Sequence, residues 1–256
     1  MARKRYQPDR PVRLKMIVAY DGTAFAGWQS QVHRNTVQDK LEYAFERITG
    51  RQVRIHGASR TDAGVHALAQ CAHVDLSNRR LPANRWPRAL NALLPPTIRV
   101  LKCSYVPASF HARFSAKGKI YRYRIWCDEV LPPLELNRAW HVRHPLDFPT
   151  IKKAATIFVG RHDFAAFAAN RGKPEETTVR ALHHIEATQR SACITIEFDG
   201  DGFLYKMVRL ITGAIIRCAL GKVDIEQLNK DLQSRRPIGA RFVAPAVGLF
   251  LVRIRY

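Results

Sequence analysis

The sequence has no apolar run long enough to cross a membrane. None of its 256 residues belongs to a stretch that approaches the roughly 18 consecutive apolar residues of a transmembrane helix. The N-terminal residues, MARKRY, are basic, and no apolar core of a secretory signal follows them. We therefore expect neither a membrane protein nor a secreted one.

Cysteine is scarce and unpatterned. The five cysteines are odd in number, and no two of them form a C-x-x-C pair. They are scattered along the chain as Cys71, Cys103, Cys127, Cys193 and Cys218. We therefore expect neither a disulfide framework nor a zinc site. Reduced, buried cysteines are typical of cytosolic proteins, so a cytoplasmic location is predicted.

Acidic residues are half as frequent as basic ones. The chain has 42 Lys and Arg against 21 Asp and Glu, which gives a net charge of +21 and a pI of about 10.4. Such an excess creates a strong positive field and indicates a polyanionic partner, most simply a nucleic acid. An anionic membrane surface is the competing explanation.

The first half of the chain has the pattern of a ferredoxin-like α+β unit. Thr36 and Gly50 are the predicted N-cap and C-terminal stop of a helix with Asp39 in its third position. The other predicted elements are strands at 13–20, 53–57, 70–76 and 98–106 and a helix at 84–94. Residues 1–11 are expected to form a mobile basic tail.

The second half repeats this architecture with insertions. Its predicted strands are 119–126, 180–188, 192–199 and 249–255, and its predicted helices are 151–158, 203–220 and 224–234. No low-complexity linker separates the halves. We therefore predict an α+β fold of two ferredoxin-like, RRM-like antiparallel-sheet domains, residues 1–106 and 107–256, packed tightly together.

One short segment contains the strongest chemical signal. Residues 57–70 read GASRTDAGVHALAQ and place a single carboxylate, Asp62, among small residues. Small residues allow a large planar group to approach the backbone closely. An ionised Asp can act as a base or as a nucleophile. The alternative interpretation of Asp62 is a turn or helix-cap residue.

This segment resembles the R-T-D-A-G-V-H motif of the tRNA pseudouridine synthase A family. Five further blocks resemble that family's motifs and occur in its order. They are YDGTAFAGWQ (20–29), FHARFSA with YRY (110–123), HDFAAF (162–167), GFLYKMVR (202–209) and APAVGL (244–249). The resemblance covers nearly the whole chain, so chance is a poor explanation.

The resemblance implies a role for each of several residues. Asp62 would be the catalytic carboxylate, in a cleft between the two domains. Arg209 would pair with it, and Tyr121 would stack on a uracil that has left its base stack. Arg60 would fill the space that the uracil vacates. The alternatives are an RNA-facing cation for Arg209, a core or sheet-face aromatic for Tyr121, and a surface phosphate contact or an ordinary salt bridge for Arg60.

The resemblance also implies the substrate and the partners. His111 and Arg113 lie in a family motif and are expected to contact RNA, with a structural role as the alternative for His111. The expected substrates are uridines at tRNA positions 38, 39 and 40, converted without a metal or other cofactor by a homodimer with tRNA across both subunits. The pair His141 and His144 lacks the further ligands of a metal site.

Two other functions remain possible from the residues alone. A non-catalytic RNA-binding or RNA-chaperone protein would need cations and aromatic residues, but not Asp62. A metal-dependent nuclease would need several converging carboxylates, whereas this motif offers one.

Overall fold

The chain forms one mixed α+β structure around a large sheet, as a computed structural model of residues 11–169, 177–239 and 243–256 shows. The predicted basic tail lies almost entirely outside these residues, and so does most of segment 170–178, to which the sequence assigns no role. None of the helices within the described ranges is long and apolar enough to span a membrane.

The described residues of the first half form four strands and two α-helices. The strands are β1 (Val12–Tyr20), β2 (Ile55–Gly57), β3 (His66–Leu76) and β4 (Ile98–Val106), and the helices are α1 (Val37–Thr49) and α2 (Trp86–Asn91). β1 pairs antiparallel with both β3 and β4, and β2 pairs antiparallel with β3. The resulting strand order is β4-β1-β3-β2.

The second half repeats this order. Its strands are β5 (Gly118–Trp126), β6 (Trp140–His141), β7 (Gly160–Asp163), β8 (Val179–Arg190), β9 (Cys193–Gly200) and β10 (Leu249–Arg255). Its helices are α3 (Phe148–Thr156), α4 (Met207–Ala219) and α5 (Ile225–Ser234). The strand order β10-β5-β9-β8 corresponds, strand for strand, to that of the first half. The predicted α+β class and the predicted repeat are therefore confirmed.

The two halves share a single ten-stranded sheet. β3 pairs with β2 at Ala72–Val74 and with β10 at His66 and Ala67, the latter in parallel. One strand of the first half is thus hydrogen-bonded to the last strand of the second. The division into two domains, 1–106 and 107–256, stays a prediction, because the backbone ladder runs through both halves.

Capping residues set the limits of α1 as the sequence predicts. The Thr36 side chain accepts a hydrogen bond from the Asp39 N–H, and the Asp39 carboxylate accepts one from the Thr36 N–H, which is a capping box. Gly50 ends the helix with a left-handed φ of 73°. Val37, Leu41 and Phe45 bury the apolar face of the helix.

Three helices differ from the prediction, and one of them, α3, spans Phe148–Thr156 where 151–158 was predicted. The segment predicted as a helix over 84–94 is a short 3₁₀ turn, Ala83–Arg85, followed by α2. α4 begins at Met207 and not near residue 203, because Lys206 adopts a left-handed φ of 59° that breaks the helix there. This later start places Arg209 in the first turn of α4.

Candidate active site

The Asp62 motif is a tight loop, residues 58–65, between β2 and β3. The N–H of Ala58 donates to the carbonyl of Cys71 at 2.8 Å and continues the ladder between the two strands. The side chain of Gln70 is fully buried, and its amide donates to the carbonyl of Ser59 at 2.6 Å. The start of the loop is therefore held by main-chain and side-chain bonds to β3.

The segment after β1 holds the other side of this loop. The N–H of Trp28 donates to the carbonyl of Thr61 at 3.1 Å, and the hydroxyls of Tyr20 and Thr61 are 2.8 Å apart. The N–H of Gly64 donates to the carbonyl of Phe25 at 3.3 Å. The block at 20–29 therefore supports the Asp62 loop and lies behind it.

Gly27 shows how closely these two segments approach. Its φ is +93°, and a Cβ at this position would lie 2.5 Å from the carbonyl oxygen of Thr61 and 3.0 Å from the carbonyl carbon of Asp62. Both the backbone conformation and the absence of a side chain are required here.

Asp62 forms an ion pair with Arg209, as the family resemblance implies. The Nη1 of Arg209 lies 3.2 Å from the Oδ2 of Asp62, and the side chains are 14% and 18% exposed respectively. The Nε of Arg209 donates to the carbonyl of Ala244 at 2.7 Å, and the Ala244 N–H donates to the Arg209 carbonyl at 3.1 Å. The guanidinium is thus held by two contacts, to Asp62 and to Ala244, and the Arg209 backbone by a third.

Arg209 lies at the N-terminal end of a helix, where a positive charge is unfavourable. Arg209 is in the first turn of α4, where the partial positive charge of the helix N-terminus repels it, and no acidic residue occupies that turn. The carboxylate of Asp62 offsets that repulsion. The position of Arg209 is therefore better explained by its partner than by helix stability.

Tyr121 lies on β5 with its hydroxyl directed toward the same loop. The hydroxyls of Tyr121 and Ser59 are 2.8 Å apart, and the ring meets the Phe203 ring edge-to-face at 5.0 Å. The side chain is 6% exposed, so it is packed into the sheet as well as facing the site. Its hydroxyl and ring are both held in place.

All six site residues predicted from sequence line one cleft of about 790 Å³. The cleft draws its walls from both halves of the chain, and its volume is in the range of small-ligand sites. The six predicted residues are Arg60, Asp62, His111, Arg113, Tyr121 and Arg209. Arg60 and Arg113 are exposed, whereas the other four are at least partly buried.

The charge of the cleft is strongly positive. Asp62 is the one carboxylate among the described residues that line it. The cations that line it are Arg60, Arg113, Lys119, Arg180, Lys206 and Arg209. Such a lining is suited to a polyanion.

Lys119 and Arg180 also line the cleft, and neither is among the site residues predicted from the sequence. Lys119 precedes Tyr121 by two residues on β5, and this period-two spacing would have placed it on the same face. Burial, with the charges of Arg113 and Arg180, lowers the pKa of Lys119 to about 8. Arg180 is the second residue of β8, and the sequence offers no signal that would place it here.

His111 supports a turn at the edge of the cleft. Its Nδ1 accepts hydrogen bonds from the N–H groups of Arg113 and Phe114 at 3.1 and 3.2 Å. Its ring packs edge-on against His73 at 4.7 Å, and His73 stacks on His56 at 5.0 Å. Burial and nearby cations lower the pKa of His73 to about 4, so His73 is uncharged near neutral pH, and burial also lowers the pKa of His111.

Asp21 and His66 form a turn behind the loop. Asp21 accepts from the N–H and the hydroxyl of Thr23 at 3.0 and 2.6 Å, which is an Asx turn. His66 is buried, and its Nδ1 accepts the N–H of Gly22 at 3.1 Å. Within the described ranges, no three His, Cys, Asp or Glu side chains converge to hold a metal ion.

Substitution of Gly27 tests the support of the loop. Gly27→Ala adds a methyl group that overlaps the Thr61 carbonyl. Gly239→Ala is the control, because Gly239 has nearly the same φ, +91°, and a Cβ added there would have no atom within 4 Å. We expect Gly27→Ala to lower the free energy of unfolding by at least about 1 kcal/mol more than Gly239→Ala. Urea unfolding followed by circular dichroism measures both; equal losses would show that the contact does not constrain the loop.

Comparison with known proteins adds independent information. The tRNA pseudouridine synthase A of Akkermansia muciniphila is 45% identical over 251 residues, covering 95% of this chain and 95% of that protein. The protein of the same name from Acetivibrio thermocellus is 41% identical over 243 residues, covering 95% of this chain and 99% of its own length.

A comparison with a solved structure shows a remote likeness. A Cbf5-Nop10-Gar1 complex aligns with 93% of this chain and 48% of its own chain, at 12% identity and a TM-score of 0.35, which bears on neither fold nor function. By contrast, the sequence profile described as tRNA pseudouridine synthase matches residues 16–115 and 154–256. These two ranges include five of the six predicted site residues, and Tyr121 lies between them. The chain therefore belongs to the tRNA pseudouridine synthase family.

Proposed function

We propose that Asp62 is the catalytic carboxylate of this enzyme and that its substrates are uridines of the tRNA anticodon stem-loop, at positions 38, 39 and 40. As a member of its family, the chain is an isomerase that converts uridine in tRNA to pseudouridine. The observation that carries the proposal is the position of Asp62. It is the one acid among the described residues of a cationic cleft, and it is paired with Arg209.

The reaction suits a single carboxylate. The N1–C1′ bond of uridine breaks, the uracil turns, C5 bonds to C1′, and the proton from C5 is lost while N1 gains one. Atoms and electrons balance within the nucleoside, so no oxidant or reductant is consumed. Breaking the glycosidic bond leaves positive charge on the ribose, which a nearby carboxylate stabilises or captures, as in glycoside hydrolysis.

The other residues of the cleft would bring the uridine to Asp62. A base inside a stem or a stacked loop must be flipped out to be reached. Arg60, exposed two residues before Asp62, is suited to occupy the vacated space. The packed ring of Tyr121 would stack on the uracil. Arg113 would contact phosphate, with His111 fixing its turn.

A homodimer and a cytoplasmic location complete the proposal. Three apolar side chains between β5 and β6, Val130, Leu134 and Leu136, are 60–82% exposed, which supports a protein-contact surface. All five cysteines are free thiols, in keeping with a reducing compartment.

The dimer can be tested at this surface. We expect light scattering to report twice the chain mass of 29.2 kDa, and Leu134→Lys with Leu136→Lys to shift the protein toward monomer. The matched control is Leu101→Lys, since Leu101 is 55% exposed on β4. A wild-type monomer at assay concentration would contradict the dimer.

Removal of the carboxylate tests the catalytic proposal. Asp62→Ala is expected to reduce single-turnover pseudouridine formation at least about 1,000-fold, or about 4 kcal/mol, while tRNA affinity stays within about tenfold. Asp75→Ala is the control, because Asp75 pairs with Arg13 on the sheet and does not line the cleft.

Two outcomes would overturn this assignment. Conversion by Asp62→Ala near the wild-type rate would show that another group acts. A wild-type chain that binds tRNA but forms no pseudouridine would favour the non-catalytic RNA-binding alternative.

Arg209 is expected to act by positioning Asp62. Arg209→Lys retains the charge but loses the planar guanidinium that reaches both Asp62 and Ala244, and it should lower kcat about tenfold with little change in KM. Arg209→Ala should lower kcat about a hundredfold, since it leaves a largely buried carboxylate without its partner. The control is Arg253→Ala, an exposed cation on β10. A change confined to KM would instead make Arg209 an RNA contact.

A further inference from the structure

Lys119 is a partly buried cation beside the catalytic residues. Its Nζ donates to the Oγ of Ser59 at 3.3 Å, and that Oγ lies 2.8 Å from the hydroxyl of Tyr121. Both side chains extend from the same face of β5, and the Ser59 hydroxyl connects them. A ligand that stacks on Tyr121 would therefore have an ammonium group next to it.

The charged groups that act on Lys119 are positive, like Lys119 itself. No Asp or Glu in the described part of the chain lies within salt-bridge distance of Lys119. Asp62, the nearest acid in the cleft, is already paired with Arg209. Arg113 and Arg180 line the same cleft, and together with burial they lower the Lys119 pKa to about 8.

Neighbouring strands do not neutralise this charge. Lys119 pairs with Gly200 on β9 and with Ile254 on β10, neither of which is ionisable. Asp199 faces the other side of the sheet, where it pairs with Arg255. Ser59 supplies a hydroxyl, and the nearby His111 has a pKa lowered by burial. The free protein therefore maintains a cluster of like charges at a cost that an anion would relieve.

We propose that Lys119, with Arg113 and Arg180, binds the backbone phosphate adjacent to the flipped uridine. This inference rests on the proposed function and adds a named contact to it. A phosphodiester brings one negative charge and two acceptor oxygens to three converging cations, whereas a uracil carbonyl would leave their repulsion in place. Arg180 donates its Nη1 to the carbonyls of Thr177 and Val179 at 2.9 and 2.7 Å, which fixes it at the cleft edge.

The contact can be tested one phosphate at a time. The reference is the Asp62→Ala chain, which holds the stem-loop RNA unconverted. Each phosphate flanking the target uridine is replaced in turn by a neutral methylphosphonate. The affinity for each RNA is then measured for three chains: the reference, the reference with Lys119→Met, and the reference with Lys119→Arg. In the reference, neutralising one flanking phosphate should weaken binding about tenfold.

Lys119→Met should weaken binding of native RNA about tenfold and reduce the slope of log affinity against log salt by about one. The Lys119→Met chain should then lose less affinity than the reference when that same phosphate is neutralised, because only Arg113 and Arg180 still contact it. Lys119→Arg should restore both the affinity and the sensitivity. The proposal would be overturned if, at every flanking phosphate, the methylphosphonate lowered the affinity equally for the chains with Lys and with Met at residue 119.

The pH dependence gives a second readout. Lys119 is charged below its pKa of about 8 and loses its proton above it, so affinity should fall between pH 7 and pH 9. Lys119→Arg stays charged throughout this range and should abolish the fall. An identical fall in both chains would assign the titration to another group. Pseudouridine formation by the wild-type chain separately decides the proposed function.

Discussion

The ion pair between Asp62 and Arg209 is the contact on which the site depends. It joins residues 147 positions apart in sequence, one on a loop of the first half and one on the first turn of α4 in the second. Each partner is constrained independently. β3 and the segment after β1 hold the loop, while Ala244 binds the arginine on both its side chain and its backbone. The carboxylate therefore has a fixed position before any substrate arrives.

The continuous sheet explains why this contact is possible. β3 pairs with β2 near its middle and with β10 at its beginning, directly after the Asp62 loop. The loop therefore emerges where the strand order of one half meets that of the other. β10 in turn pairs with β5, which carries Tyr121 and Lys119. Residues of distant sequence blocks converge because one backbone ladder connects the strands that carry them.

The local parts of the structure could be predicted from sequence. The capping box at Thr36, the stop at Gly50 and the strands at 98–106 and 249–255 depend on neighbouring residues and on alternation, and all are found as predicted. The ion pair followed from the family resemblance and not from the residues alone. The spacing of the motifs carries no information on how the two halves meet.

What could not be predicted depends on tertiary contacts. The left-handed Lys206 that delays the start of α4 has none of the usual signals for such a conformation, since it is not Gly, Asn or Asp. The sharing of β3 between β2 and β10 needs both halves in place. Arg180 reaches the cleft only because β8 lies two strands from β5, with β9 between them. The cations of the site were therefore incompletely identified, whereas its carboxylate was not.

The most direct test of the account is base-resolved mapping of pseudouridine in unmodified tRNA incubated with the pure wild-type chain. The account predicts conversion confined to uridines of the anticodon stem-loop, at positions 38, 39 and 40. Conversion elsewhere in the tRNA would contradict the proposed substrate. No conversion of a tRNA that the protein demonstrably binds would contradict the catalytic role of Asp62 and the central place of its pairing with Arg209.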